Sequence, residues 1–222
     1  MLKKIFLSPI TSIILFGIAA ALLLTSSIGG TMAVLNISSY DYRAEIVLDE
    51  INVGLTERNA GESEARQIPN QGELLTKLIP AEQKFTLGTT YPEELAVINT
   101  GAINEYVRVT VYKYWLKDGK KAVDLDPSYI NLHFVTGTDW VIDPDASTEE
   151  RTVLYYTPGP VDASGGVTSA FTDTLRISPM AGSGDYENAS CHIEAVVDGV
   201  QNHNGGDAIT SSWGHNFLGV TN

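Results

Sequence analysis

Four histidines, His133, His192, His203 and His215, and one cysteine, Cys191, are the side chains best suited to bind a metal or attack a substrate. No His-Glu-x-x-His stretch sets two histidines one helical turn apart, the arrangement zinc proteases use. His203 and His215 flank a predicted helix, twelve residues apart, and with Asp198 or Asp207 they are the set from which a zinc site could be drawn. The plainer reading has His203 bonding the turn before that helix. His192 falls between strand-core positions and is expected to face solvent. Cys191 opens the alternating run Cys191, Ile193, Ala195, Val197, the pattern of a buried thiol and not of a nucleophile with a base beside it.

Asp124-Leu125-Asp126 and Asp139 with Asp143-Pro144-Asp145 are acidic loop clusters. Calcium needs six to eight oxygens, and neither cluster has EF-hand spacing; solvated turns are the plainer reading. No Gly-x-Ser-x-Gly elbow and no Gly-rich phosphate loop occurs, and Gly165-Gly166 and Gly205-Gly206 read as turns. Tyr112, Tyr114, Trp115 and Trp140 suit a glycan platform or, more commonly, core and cross-strand packing. The sequence therefore assigns no catalytic residue, no cofactor and no metal, and the chain is not expected to be an enzyme.

The elements that would position these groups are strands. Tyr40 to Leu48 alternates apolar with polar, as do Tyr106 to Trp115, Ile130 to Phe134 and Cys191 to Val197. Phe85 with Leu87, Leu95 to Ile98, Thr152 to Tyr156 and Phe171 to Ile177 are further strands. Asp118-Gly119 predicts a tight turn into a weak partner strand at Lys120-Lys121-Ala122. Gly54 to Gly72 is polar, poorly patterned, and reads as a mobile loop or insertion. Asn204 or Gly206 starts a short helix, a lid on a sheet edge or sandwich end, with Ala208, Ile209 and Trp213 inward and Gly214 just past its end. Many short strands with turn chemistry between them predict an all-β fold, a sandwich or jelly roll, with one short C-terminal helix.

Residues 1–33 read as an export signal helix. Lys3-Lys4 begins it, Ile5 to Leu24 is uncharged and apolar, and a small-residue tract ends at Ala33. The predicted cut lies between Ala33 and Val34. An apolar stretch this long also suits an uncleaved anchor. Residues 34–222 then form one domain, with no repeat and no internal linker. The signal holds two of the 14 basic groups and none of the 27 acidic ones, leaving 12 against 27, a net charge of −15. Such a surface repels phosphate backbones, which argues against nucleic acid as a partner. One cysteine permits no intramolecular disulfide.

Gly29-Gly30-Thr31-Met32-Ala33 resembles the cleavage region of the TasA and camelysin (CalY) family of Gram-positive bacteria. Glu194 to Asn204, followed by Asp207 to Gly214, is similar to the C-terminal signature of the family's alternate-signal-mediated exported proteins. Val97-Ile98-Asn99-Thr100-Gly101 and Tyr106-Val107-Arg108-Val109 match its Asn-x-Gly turn leading into a strand. The resemblance implies a jelly-roll-like sandwich, processing by a SipW-type signal peptidase, and secretion to the cell surface or biofilm matrix. It also implies assembly with copies of itself into fibres by donor-strand exchange. Camelysins have been described as metalloproteases, so a metal-dependent protease is one alternative; a monomeric surface-associated binding module of the same fold is the other.

In this sequence the cut would free Val34-Leu35-Asn36-Ile37-Ser38. Leu35 and Ile37 share one face, and the apolar parity switches across Ser38-Ser39, so this piece is a separate short strand hinged there. At about 3.3 Å per residue it spans roughly 17 Å. It could add to a neighbour's open sheet edge, or pair within its own chain.

Overall fold

The computed structural model describes residues 51–222, apart from 60, 71, 80–82 and 183. The predicted signal helix, the Ala33–Val34 cut, the candidate donor strand Val34, Leu35, Asn36, Ile37 and Ser38, and the Tyr40 to Leu48 strand all lie outside the described residues.

Two antiparallel sheets face each other. The first has the order β2 (Arg66–Ile68), β1 (Val53–Asn59), β3 (Thr90–Asn99), β10 (Thr172–Ile177), β6 (Ile130–Phe134), with β9 (Gly166–Val167) also on β3. The second has the order β11 (Ala189–Gln201), β4 (Glu105–Lys117), β8 (Arg151–Tyr156), β7 (Trp140–Ile142), with β5 (Lys120–Lys121) also on β4. The period-two alternation sends Leu95 and Val97 from one sheet, and Val107, Val109 and Val111 from the other, into a shared core with Ile130, Trp140, Leu154, Phe171 and Leu175. This is a β-sandwich with one short helix, α1 (Gly205–Trp213). Trp115 and Trp140 are core residues whose indole N–H groups donate to the carbonyls of Asp126 and Ser169, both at 2.9 Å.

The Asp118-Gly119 turn forms as expected, with φ of 52° and 71° at its two residues, and β5 pairs back onto β4. Three expectations are corrected. Gly54 to Gly72 is not a loop: its described residues contain β1 and β2, paired Leu55↔Ile68 and Glu57↔Arg66. The pattern misled because the inward face of β1 carries Glu57 and Asn59 after Leu55. Phe85 and Leu87 form no strand: Phe85 stacks on Tyr91 at 5.1 Å, and the Thr86 N–H donates to the Tyr91 hydroxyl. And α1 covers the outer face of the second sheet, where Ile209 and Trp213 pack on Val153, Tyr155 and Val200, and not an edge or an end of the sandwich.

Candidate functional site

The residues first expected to carry chemistry are held apart. His133 Nδ1 lies 2.8 Å from Asp173 Oδ1. His215 Nε2 lies 3.3 Å from buried Asp143. His192 packs against Tyr114 on the outer sheet face at 4.9 Å, and Asp198 is bonded at 2.8 Å to Arg108. The His203, His215, Asp198, Asp207 set is thus not assembled, and among the described residues no three His, Cys, Asp or Glu groups converge on a metal position. The acidic clusters are turn-makers: Asp126 Oδ1 accepts from Ser128 N, and Asp143 Oδ1 from Asp145 N and Ala146 N. Cys191 points between the sheets, where burial pushes its thiol up to about 12 and leaves it a poor nucleophile.

Three things converge elsewhere, at the margin of the sandwich. The first is the edge of β11. β11 ends its sheet, and among the described residues no strand pairs along its outer side. Its register to β4 is unbroken from Ala189↔Lys117 to Gln201↔Glu105. The ladder is phased by Asn202 N donating to Asn104 O at 3.1 Å. An antiparallel ladder bonds every second pair, so even-numbered residues of β11 bond to β4. Cys191, Ile193, Ala195, Val197 and Gly199 aim their N–H and C=O groups outward. A long strand with a row of free backbone groups is a template for another strand.

The second is the groove beside that edge. A cleft of about 1030 Å³ runs between β11 and the start of β1, floored by Leu55, Ile68, Ile193 and Val197 and flanked by residues 72–75. The inward side chains of β11 that an added strand would cover are the same ones whose backbone groups point outward. One strand lying here would meet both apolar surface and backbone groups that have no partner among the described residues.

The third is a set of buried carboxyls around the groove. Glu57 and Glu93 are fully buried, and Asn59 is 3% exposed. Glu57 Oε1 accepts from Leu75 N at 2.6 Å, Glu57 Oε2 from Arg66 Nη2, and Glu93 Oε2 from Asn59 Nδ2. Burial, then the neighbouring Glu57, raise Glu93 to about 9. Glu105, also fully buried, accepts from Asn52 N at 3.0 Å and is raised by burial; its Oε2 has no partner among the described residues. A Cβ on Gly199 would sit 2.1 Å from that oxygen and 2.9 Å from Val53 Cγ1, so any larger residue here must displace the Glu105 carboxyl. Sequence reasoning found the Cys191 to Val197 strand but not its edge position, nor β1 or the buried carboxyls. The one available signal was Leu55, Glu57 and Asn59 at alternate positions, which is a strand face with acids on it.

No family model and no curated protein matches the chain. Among solved structures, a point mutant of the carbohydrate-binding module CBM3b from the cellulosomal cellobiohydrolase 9A of Clostridium thermocellum is similar. It covers 66% of this chain and 91% of its own length, at 10% identity and a TM-score of 0.30. A likeness that loose carries no argument about ligand or partner.

Proposed function

We propose that this chain is an exported structural subunit of a cell-surface or biofilm-matrix fibre of a Gram-positive bacterium, with a jelly-roll-like sandwich of the TasA and camelysin kind. A SipW-type signal peptidase cuts at Ala33–Val34. The freed Val34–Ser38 strand then adds to β11 of the next copy, with Leu35 and Ile37 in the groove. The membrane is touched only through the signal segment before the cut.

The observation that supports this most is the outward-facing backbone row from Cys191 to Gly199, whose stretch to Val197 lies beside a groove lined in part by Leu55, Ile68, Ile193 and Val197. Such a contact is head-to-tail, and repeats as a filament unless its rotation closes a ring. The test is electron microscopy of purified protein beginning at Val34, beside the same protein lacking residues 34–38. Filaments from the first and none from the second are expected. Filaments from both, or from neither, overturn the reading.

A second reading, a surface-associated binding module, draws on the outer face of the second sheet. There Tyr114 lies against His192, and the Lys121 ammonium sits 5.3 Å from the Tyr114 ring. Retention of the protein on insoluble cell-wall glycan, lost in Tyr114→Ala, would favour it.

A further inference from the structure

The groove has one wall that is not a strand. Residues 72–75 line it, and the backbone of Leu75 sits at φ 63°, a conformation a branched side chain rarely adopts. Something must hold it there. Three described contacts do so: the Leu75 N–H donates to Glu57 Oε1 at 2.6 Å, Leu75 O accepts from Leu78 N at 3.2 Å, and the Leu74 and Leu75 side chains pack on the core; Arg66 Nη2 bonds both Glu57 and the Thr76 hydroxyl.

Glu57 is not alone. Glu93, opposite Asn59 on β3, is its diagonal neighbour across the β1–β3 pair and is equally buried, yet Glu93 Oε1 finds no N–H or O–H donor among the described residues. Two carboxylates cannot bond each other unless one of them carries a proton. Among the described residues the charged and polar groups facing the pair are few. β1 supplies Asn59, β2 supplies Arg66, β10 supplies Thr172, whose hydroxyl donates to the Glu93 carbonyl, and the segment after β2 supplies Leu75 N and Thr76. The Lys77–Glu62 pair reaches the cluster only through the Asn59 N–H, and Arg58–Glu94 is a separate, more exposed pair. Arg66 is thus one guanidinium for two buried carboxyls.

We propose that Glu93 is held protonated beside Glu57, and that this proton is the latch keeping residues 72–75, one wall of the groove, closed. With the proton present, Arg66 and the Leu75 N–H are both left to Glu57, and Leu75 stays captured. Without it, two buried negative charges face one guanidinium, and the cheapest relief is to let water in by releasing the Leu75 strap. The latch regulates the groove of the proposed fibre subunit and takes its importance from that reading, but it acts within one molecule and is tested there.

The direction with pH follows from burial. Glu93 keeps its proton in the folded chain to about pH 9, while in the unfolded chain it ionises near 4.5. Between those values folding takes up a proton. Its share of stability is therefore complete below 4.5 and falls as pH rises, by up to about tenfold in the folding constant per pH unit, levelling off above 9.

The experiment follows amide exchange of Leu75 in the mature protein at pH 7 and pH 10, corrected for the intrinsic base-catalysed rate, together with urea midpoints across that range. Wild type is expected to lose at least tenfold of its Leu75 protection at pH 10. Glu93→Gln is expected to keep it and to show a flatter pH profile; Glu57→Gln is expected to lose it at pH 7 as well. If Glu93→Gln does not fold, the wild-type exchange still decides. Unchanged Leu75 protection in wild type at pH 10, or the same pH profile for wild type and Glu93→Gln, overturns the latch. So does stabilisation of wild type at pH 7 by added calcium that Glu93→Gln lacks, because the cluster would then be a cation site. Filament formation scored in parallel separates the two ideas: a working latch with no filaments at any pH sinks only the fibre reading.

Discussion

Ala195→Pro separates an open edge from a paired one. The ladder phase set at Asn202 and Asn104 places Ala195 N–H outward and Val196 N–H toward Thr110. Proline at 195 therefore removes no bond inside the second sheet, whereas proline at 196 removes one. A strand arriving at the usual spacing of about 4.8 Å would meet the ring in place of a donor. It would lose one backbone bond, about 0.5–1.5 kcal/mol. The ring also blocks close approach of the flanking residues, and a second bond lost brings the total to about 1–3 kcal/mol. At about 1.4 kcal/mol per decade, the critical concentration for assembly should rise roughly 5- to 150-fold. Sedimentation of polymer against total protein measures this, and urea unfolding of the dilute protein gives the companion value. Ala195→Pro should keep a near-wild-type midpoint while Val196→Pro does not. Equal critical concentrations for wild type and Ala195→Pro refute the edge as the assembly surface. An Ala195→Pro protein as unstable as Val196→Pro refutes the claim that the edge is open at all.

Four further outcomes are expected. Leu35→Asp should raise the critical concentration at least tenfold, since burying one leucine contributes about 1.5–3 kcal/mol, with no change in the monomer's unfolding curve. Glu105 is raised by burial, so its protonated form favours folding below the ordinary carboxyl range and that advantage fades as pH rises; the urea midpoint of Glu105→Gln should therefore fall less steeply with pH than that of wild type. Arg108 lies 5.3 Å from the Trp213 ring centroid and bonds Asp198, so Arg108→Ala should loosen α1 and lower Tm by roughly 3–6 °C, from a loss of about 1–2 kcal/mol. Cys191, with its buried thiol, should react with a neutral disulfide reagent at pH 8 far more slowly than a free thiol, and more slowly still in polymer.

Much of the sandwich was legible because alternation is a local property. β4, β6 and β11 place apolar residues at every second position, β3 and β8 show as short unbroken apolar or aromatic runs, β10 through Phe171, Leu175 and Ile177, and the turn at Asp118-Gly119 signals itself by residue type. β1 was hidden because burial of Glu57 and Asn59 makes its inner face look like a loop. β7 and β9, at three and two residues, are too short for any periodicity. Phe85 and Leu87 mimic a strand because two alternating apolar residues also suit a loop that packs on Tyr91. The helix was found from Ile209 and Trp213, but its seat on the outer sheet face depends on Val153, Tyr155 and Val200, which no spacing connects to it. The margin of the sandwich was illegible for the same reason. Whether β11 has a neighbour is a fact of pairing order, and a carboxyl's burial is decided by strands far away in sequence: Asn59 and Glu93 are partners across 34 residues. The zinc set failed likewise, because chain proximity of His203, His215 and Asp198 says nothing of Asp143 and Arg108, which claim His215 and Asp198.

The most direct measurement is a cryo-electron microscopy map of polymer grown from protein beginning at Val34. It should show, in every subunit, a strand from the neighbouring copy along Ile193 to Val197, with Leu35 and Ile37 over Leu55 and Ile68. A filament whose copies meet through other surfaces, leaving the β11 edge in solvent or filled by its own chain, would contradict the account.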